Sequence, residues 1–342
     1  MPTVSSGRVL VTGANGYIAI WVVRRLLEQG YTVRGTVRSE SKAEYLHQSF
    51  AAYGNKFETV VVEDITKLGA FDEAVKGMDA IEHVASPMHF NADDPDELIV
   101  PAVNGTTSLL ESARVYGASV KRIVFTSSCA ALMNVQDTPR VFTEADWNEQ
   151  AIAEVREKGR AAAQQTKYRA SKTLAERAAW NFMEKNKDAL MWDLVVINPP
   201  QVYGPMLHEV PTPGALNASM HMWYSNVIEG SLNAYQLATM GSVWVEVRDL
   251  ADAHVLAIQK PEAGGERIIV SAPPFKWQDW LNAARACNLD TPPGNELYDP
   301  AKATHHVSVD TSKAAKLLGM TYRSPMESAR DIAADLKTRG FI

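Results

Sequence analysis

The sequence predicts an α/β protein: a doubly wound parallel sheet followed by a smaller C-terminal α/β substrate lobe. Three observations carry the prediction. Short apolar, β-branched runs alternate with helical segments up to Pro199, the signature of βαβ crossovers. A glycine-rich turn, "VTGANGYIA", joins the first such run directly to the first helix. Beyond Pro199 the alternation gives way to "NPPQVYGPMLHEVPTPG", dense in Pro and Gly as a loop of fixed shape would be.

Taken in order, "RVLVTG" reads as a strand, and Tyr17–Glu28 as a helix stopped by Gly30. "YTVRGTV" and "FETVVVED" are strands, each followed by a helix, "ESKAEYLHQSFAAY" and "GAFDEAVKG". "DAIEHVAS" is the fourth strand, and a long helix covers roughly Asp94–Tyr116. "KRIVFTSS" is the fifth, and its helix runs from about Ala161 to Lys185. "MWDLVVINPP" is the sixth strand, and "SVWVEVRDLADAHVLAIQ" reads as a strand–helix pair returning to the sheet. Residues 1–198 and 234–263 are thus expected to form a dinucleotide-binding domain, with 199–233 and 264–342 as the substrate lobe. Ligands of such sheets bind beyond the carboxyl ends of the strands.

Composition excludes several function classes. The net charge of −6 comes with no basic stripe, which argues against nucleic acid as partner. The longest apolar runs are too short and too interrupted to span a bilayer. The N-terminus lacks the pattern of a signal peptide and enters a strand at once. Cys129 and Cys287 are far apart, which fits a reducing cytoplasm and suggests neither a disulfide framework nor a metal site.

Gly13 and Gly16 let the backbone turn tightly against a phosphate, and the helix that follows offers free N–H groups and the positive end of its dipole. Asn15, Tyr17 and Ile18 belong to the same turn. Ala19 replaces the third glycine of the usual fingerprint, where only a small residue is needed. A free ribose 2′-hydroxyl calls for Asp or Glu at the end of the second strand; "VRGTVRS" has Arg38 there, with Lys42 close by. A guanidinium fork suits a 2′-phosphate. The expected cofactor is therefore NADPH.

Tyr168 and Lys172, in "YRASK", lie four apart and so on one helix face. Taken alone, the pair is ordinary helix surface. Its meaning comes from position, because the helix follows the strand ending in Ser127 and Ser128. A phenol has a reference pKa of about 10. A neighbouring ammonium is expected to lower it, so that Tyr168 can pass a proton to a carbonyl oxygen steadied by a serine.

With "VVVEDI", "HVASP", "FTSS", "NPPQVYGP" and "VEVRDLADAH" added to these motifs, the chain resembles the extended short-chain dehydrogenases/reductases. Within them it looks like the dihydroflavonol-reductase-like branch, which includes fungal carbonyl and aldehyde reductases and methylglyoxal reductases. The resemblance implies a Rossmann-type domain, NADPH-dependent reduction of aldehydes and ketones, Ser128 as catalytic serine, Tyr168 as acid and Lys172 as its partner. It also implies that Asp64 and Ile65 flank the adenine, that Ala85 and Ser86 line the cofactor, and that Pro199 to Val202 approach the nicotinamide. Asp64 in "EDITK" can equally start a helix. Many relatives carry a helix asparagine that aligns here with Ala102, with Asn104 out of register.

Next to Ser128 stand Cys129, Ala130, Ala131, Leu132 and Met133 instead of the Asp–Glu pair of the sugar-nucleotide dehydratases. His89, Phe90, Gln201, Tyr203, Met222, Trp223 and Tyr224 complete an expected apolar, aromatic pocket for aryl, alkyl or keto-ester carbonyls, although each aromatic could equally be core. A nucleotide-sugar epimerase or dehydratase and a non-catalytic nucleotide sensor remain as alternatives on the same fold. The chain is expected to act as a monomer or a homodimer.

Overall fold

The computed structural model describes residues 3–86 and 91–342. Its main sheet is built from β1 (Arg8–Val11), β2 (Thr32–Val37), β3 (Phe57–Val61), β4 (Ala80–His83) and β5 (Arg122–Thr126), with two further strands added later in the chain. Helices α1 (Tyr17–Glu28), α2 (Glu40–Ser49) and α3 (Asp96–Tyr116) lie between these strands. A short strand, β6 (Arg140–Phe142), and α4 (Glu149–Lys158) precede α5 (Gln164–Asn186) and β7 (Asp193–Asn198). The C-terminal part adds β8 (Gln201–Tyr203), α6 (Ala218–Val227), α7 (Ala234–Thr239), β9 (Gly241–Glu246), α8 (Val247–Gln259), β10 (Arg267–Ile269), β11 (Ala272–Lys276) and α9 (Trp277–Ala286). It closes with β12 (Val307–Val309), α10 (Ser312–Leu318) and α11 (Pro325–Thr338).

The main sheet has the order β10-β7-β5-β4-β1-β2-β3, and every pairing is parallel. Side chains alternate between its two faces, as strand geometry requires. Val9, Val124, Val195 and Ile197 enter the core with α1 and α8, whereas Leu10, Ile123, Leu194 and Val196 enter the core under α3 and α5. Burial on both faces is why these strands read as continuous apolar runs. Winding reverses between β1 and β4, so a crevice opens beyond the carboxyl ends of these two strands.

Two expectations need correction. "GAFDEAVKG" is a chain of turns and not a helix. Gly69 and Gly77 both adopt positive φ (81° and 72°) and close off a segment too short to repay helix nucleation. Phe71, Ala74, Val75 and Met78 are buried all the same. The strand of "SVWVE", β9, does not return to the main sheet. It pairs with β8 in parallel and β11 antiparallel in a separate three-stranded sheet, and the seventh main strand is β10. Only α8 of that pair folds back onto the main domain, against α1 and β5.

The small sheet carries an aromatic core. Tyr203, Trp223, Trp244, Phe275, Trp277 and Trp280 are buried, with the Trp244 and Trp280 centroids 4.6 Å apart in an edge-to-face pair. Among the described residues, no helix is long and apolar enough to cross a membrane.

Candidate active site

A cleft of about 680 Å³ opens at the carboxyl edge of the main sheet. Its floor is the turn after β1. Gly13 has φ +64°, and a Cβ there would lie 3.1 Å from the Ala85 Cβ, so only glycine lets the turn sit against the end of β4. Thr12 fixes the other side: its Oγ1 accepts from the backbone N–H of Val84 (3.1 Å) and Ala85 (2.9 Å). The Gly13 N–H donates to Thr36 Oγ1 at 3.0 Å, which ties the turn to β2. Asn15, Gly16, Tyr17 and Ile18 line the cleft where α1 begins. Tyr17 anchors this wall to the second lobe by donating to the Gly204 carbonyl at 2.9 Å. Closely approachable backbone at a helix N-terminus fits a pyrophosphate.

Arg38, just past β2, lines the cleft and is exposed. Among the described residues it makes no ion pair, so its fork is available to a phosphate. Lys42 lies outside the cleft and pairs with Glu209 at 3.4 Å. Asp64 and Ile65 line the cleft beyond β3. Asp64 Oδ1 accepts from the Thr66 hydroxyl (2.7 Å) and N–H (2.9 Å), which holds its carboxyl below the usual range. Asp64 thus caps a turn while facing the cleft.

Ser128, Tyr168 and Lys172 converge on the same cleft from β5 and α5. Ser128 is extended, its Oγ accepting from the Ala130 N–H at 3.1 Å. Burial pushes the Tyr168 phenol above its ordinary value, and a hydrogen bond with Ser128 opposes the shift. The expectation that Lys172 lowers it is not met: burial sets the direction of the shift, and the Lys172 charge is not among the influences on the phenol. Lys172 instead donates to Ser86 Oγ at 3.0 Å. Burial lowers its own pKa to about 8, opposed by the charge of Glu176. Buried His83, beside Lys172, falls to about 3 and stays neutral. At neutral pH the site therefore holds a protonated phenol and a largely protonated lysine.

Ala85, Ser86, Pro199 and Val202 also line the cleft. The residues expected to hold substrate are placed differently. His89 and Phe90 lie outside the described residues. Val202 lines the cleft, whereas its strand neighbours Gln201 and Tyr203 do not, because alternate residues face opposite ways. Tyr203 and Trp223 are fully buried in the lobe core, and Tyr224 donates to the Phe341 carbonyl at 2.9 Å. Met222 is exposed, and Met133 packs beside Cys129 and Leu132. Asn217 and Ser219, from the start of α6, line the cleft instead; nothing in their sequence surroundings marks them. Ala102 is buried and Asn104 is exposed, so neither brings a helix amide to the site. Among the described residues, no group of three His, Cys, Asp or Glu could hold a metal.

The model of the NAD dependent epimerase/dehydratase family matches residues 9–271. A ketoreductase of Aspergillus niger is 38% identical over 92% of this chain and 93% of its own. The NADPH-dependent methylglyoxal reductase of Saccharomyces cerevisiae is 36% identical over 96% of this chain and 97% of its own. The crystal structure of the yeast methylglyoxal/isovaleraldehyde reductase complexed with NADPH matches 98% of this chain and 100% of that one, with a TM-score of 0.84 and 34% identity. The chain belongs to the NAD dependent epimerase/dehydratase family, the extended short-chain dehydrogenases/reductases.

Proposed function

We propose that this protein reduces aldehydes and ketones to alcohols with NADPH, taking aryl ketones, keto esters and 2-oxoaldehydes. The observation that carries the reading is the convergence of Ser128, Tyr168 and Lys172 at the open end of a dinucleotide cleft, in a chain whose relatives are named as reductases.

When bound in the cleft, NADPH would supply the hydride. Gly13, Gly16 and the start of α1 would hold its pyrophosphate, Arg38 its 2′-phosphate, and Lys172 a ribose hydroxyl. Ser128 donates a hydrogen bond to the substrate carbonyl oxygen and holds it beside Tyr168. As the carbon gains hydride and the carbonyl π bond breaks, the Tyr168 O–H passes its proton to that oxygen. A phenol held above its ordinary pKa is fully protonated at neutral pH, the state a donor must start from. Pro199, Pro200 and Val202 give the cleft an apolar lining, which favours carbonyls without charged groups.

The test is cofactor oxidation over a panel of aldehydes, aryl ketones, keto esters and methylglyoxal, with NADPH beside NADH. Turnover that prefers NADPH supports the reading. Absence of turnover, together with tightly retained oxidised cofactor after purification, would point instead to sugar-nucleotide epimerisation.

A further inference from the structure

Glu176 lies one helical turn beyond Lys172 on α5 and has no exposed surface. It does not line the cleft, and the reaction outlined above does not use it. Yet four donors converge on its carboxylate, from the end of β5, from β7, from β10 and from α5 itself. Oε2 accepts from Ser127 Oγ at 2.6 Å and from Asn198 Nδ2 at 2.8 Å. Oε1 accepts from Arg267 Nε at 2.5 Å and from Trp180 Nε1 at 3.4 Å. Ser127 precedes Ser128, and Asn198 precedes Pro199. Asn198 Nδ2 also reaches the Ser128 carbonyl at 3.3 Å. Arg267 is locked in turn, with its guanidinium 3.7 Å from the Trp147 centroid and donating to the Glu144 and Asp146 carbonyls.

We infer that Glu176 is a positioning residue of the proposed reductase site: it clamps the ends of β5 and β7 against α5, so that Ser128 meets Tyr168, and sets a fixed negative charge beneath Lys172. The inference rests on the reductase reading for its catalytic meaning. Neutral acceptors would satisfy Ser127, Asn198 and Trp180 equally well. The carboxylate is required by the charges around it, Arg267 on β10 and Lys172 on its own helix. The other ionisable neighbours supply no such charge. His83 on β4 is neutral, and burial keeps the Cys129 thiol protonated. On α4, Glu149 pairs with Arg177, and Glu154 acts on Arg169. On α3, Glu97 accepts from the Asp93 and Asp94 N–H groups, and Glu111 pairs with Arg114. Glu176 is thus the charge that keeps Lys172 an ammonium.

The test is the titration of Lys172 in cofactor-free protein labelled with 13C-lysine, its signal assigned by loss in Lys172→Arg. The wild-type inflection is expected near 8. Glu176→Gln should lower it by about one unit or more, and Glu176→Asp should restore it. An inflection in Glu176→Gln that matches the wild type overturns the inference. Should the single variant not fold, because it leaves the mostly buried Arg267 guanidinium without its carboxylate, the charge-neutral Glu176→Gln/Arg267→Met protein decides. Its Lys172 inflection must also fall, and failure of that protein to fold assigns the hub to fold maintenance and likewise overturns the inference. Methylglyoxal turnover with NADPH gives a separate readout, in which the alkaline loss of kcat moves to lower pH in Glu176→Gln. A wild-type protein that does not turn methylglyoxal over counts against that substrate class and leaves the titration to judge Glu176.

Discussion

Replacing Arg38 with alanine should change which nicotinamide cofactor the protein prefers while leaving the chemical step intact. Arg38 stands where β2 ends, lines the cleft and makes no ion pair among the described residues. No acidic side chain follows β2 until Glu40, the first residue of α2. Nearby Lys42 is engaged with Glu209, so it is a poor substitute for the lost guanidinium. Hydrogen bonds to a charged group contribute about 1.5–3 kcal/mol, and about 1.4 kcal/mol is tenfold. Because Arg38 is exposed, screening should hold the loss to the lower part of that range, about 10- to 30-fold in kcat/KM for NADPH at moderate salt. The loss should appear in KM, with kcat and the NADH parameters little changed. Initial rates of cofactor oxidation, measured with both cofactors at low and high salt, check this. Equal losses for NADPH and NADH, or a ratio indifferent to salt, would refute the assignment of Arg38 to the 2′-phosphate.

Two further outcomes are expected. With Lys172 depressed to about 8, its ammonium is lost as pH rises through that value, so kcat/KM should fall on the alkaline side. Lys172→Arg, which stays charged, should remove that limb, and a flat wild-type profile through pH 8 would contradict the role of the ammonium. Trp223→Ala should destabilise the fold by about 3–5 kcal/mol, because Trp223 is wholly buried against Trp280. A changed KM for aldehydes without a fall in Tm would instead place Trp223 at the pocket.

Most of the main domain was legible because its physics is local. β1 and α1 are joined by a turn whose glycine has to adopt positive φ, and the strands are apolar throughout because both faces are covered. The segment 69–77 misled because its apolar spacing is that of a helix, while the glycines at its ends and its shortness decide against one. β9 misled because strand propensity says nothing about which sheet a strand joins. Its partners, β8 and β11, lie on either side of it in the sequence and are long-range pairings. That Gly13, Gly16 and Arg38 line one cleft could be read from the sequence, since backbone approach and charge leave marks there. The expected substrate residues could not be placed in the same way, because Tyr203 and Trp223, both fully buried, look alike in sequence as core or pocket. Glu176 carries no mark in the sequence either, although "SKTLAE" places it four residues after Lys172, because a charge inside a helical segment reads first as solvated surface.

The central claim is that Tyr168 delivers the proton, and it is tested most directly by single-turnover and steady-state reduction of an aldehyde with NADPH in the wild type and Tyr168→Phe. The substitution removes one hydroxyl and its hydrogen bond with Ser128, a stability change of about 0.5–1.5 kcal/mol, so the variant should fold and bind NADPH. Loss of a positioned general acid should lower kcat by about 10²- to 10⁴-fold with NADPH affinity retained. Near wild-type turnover in Tyr168→Phe would contradict the account.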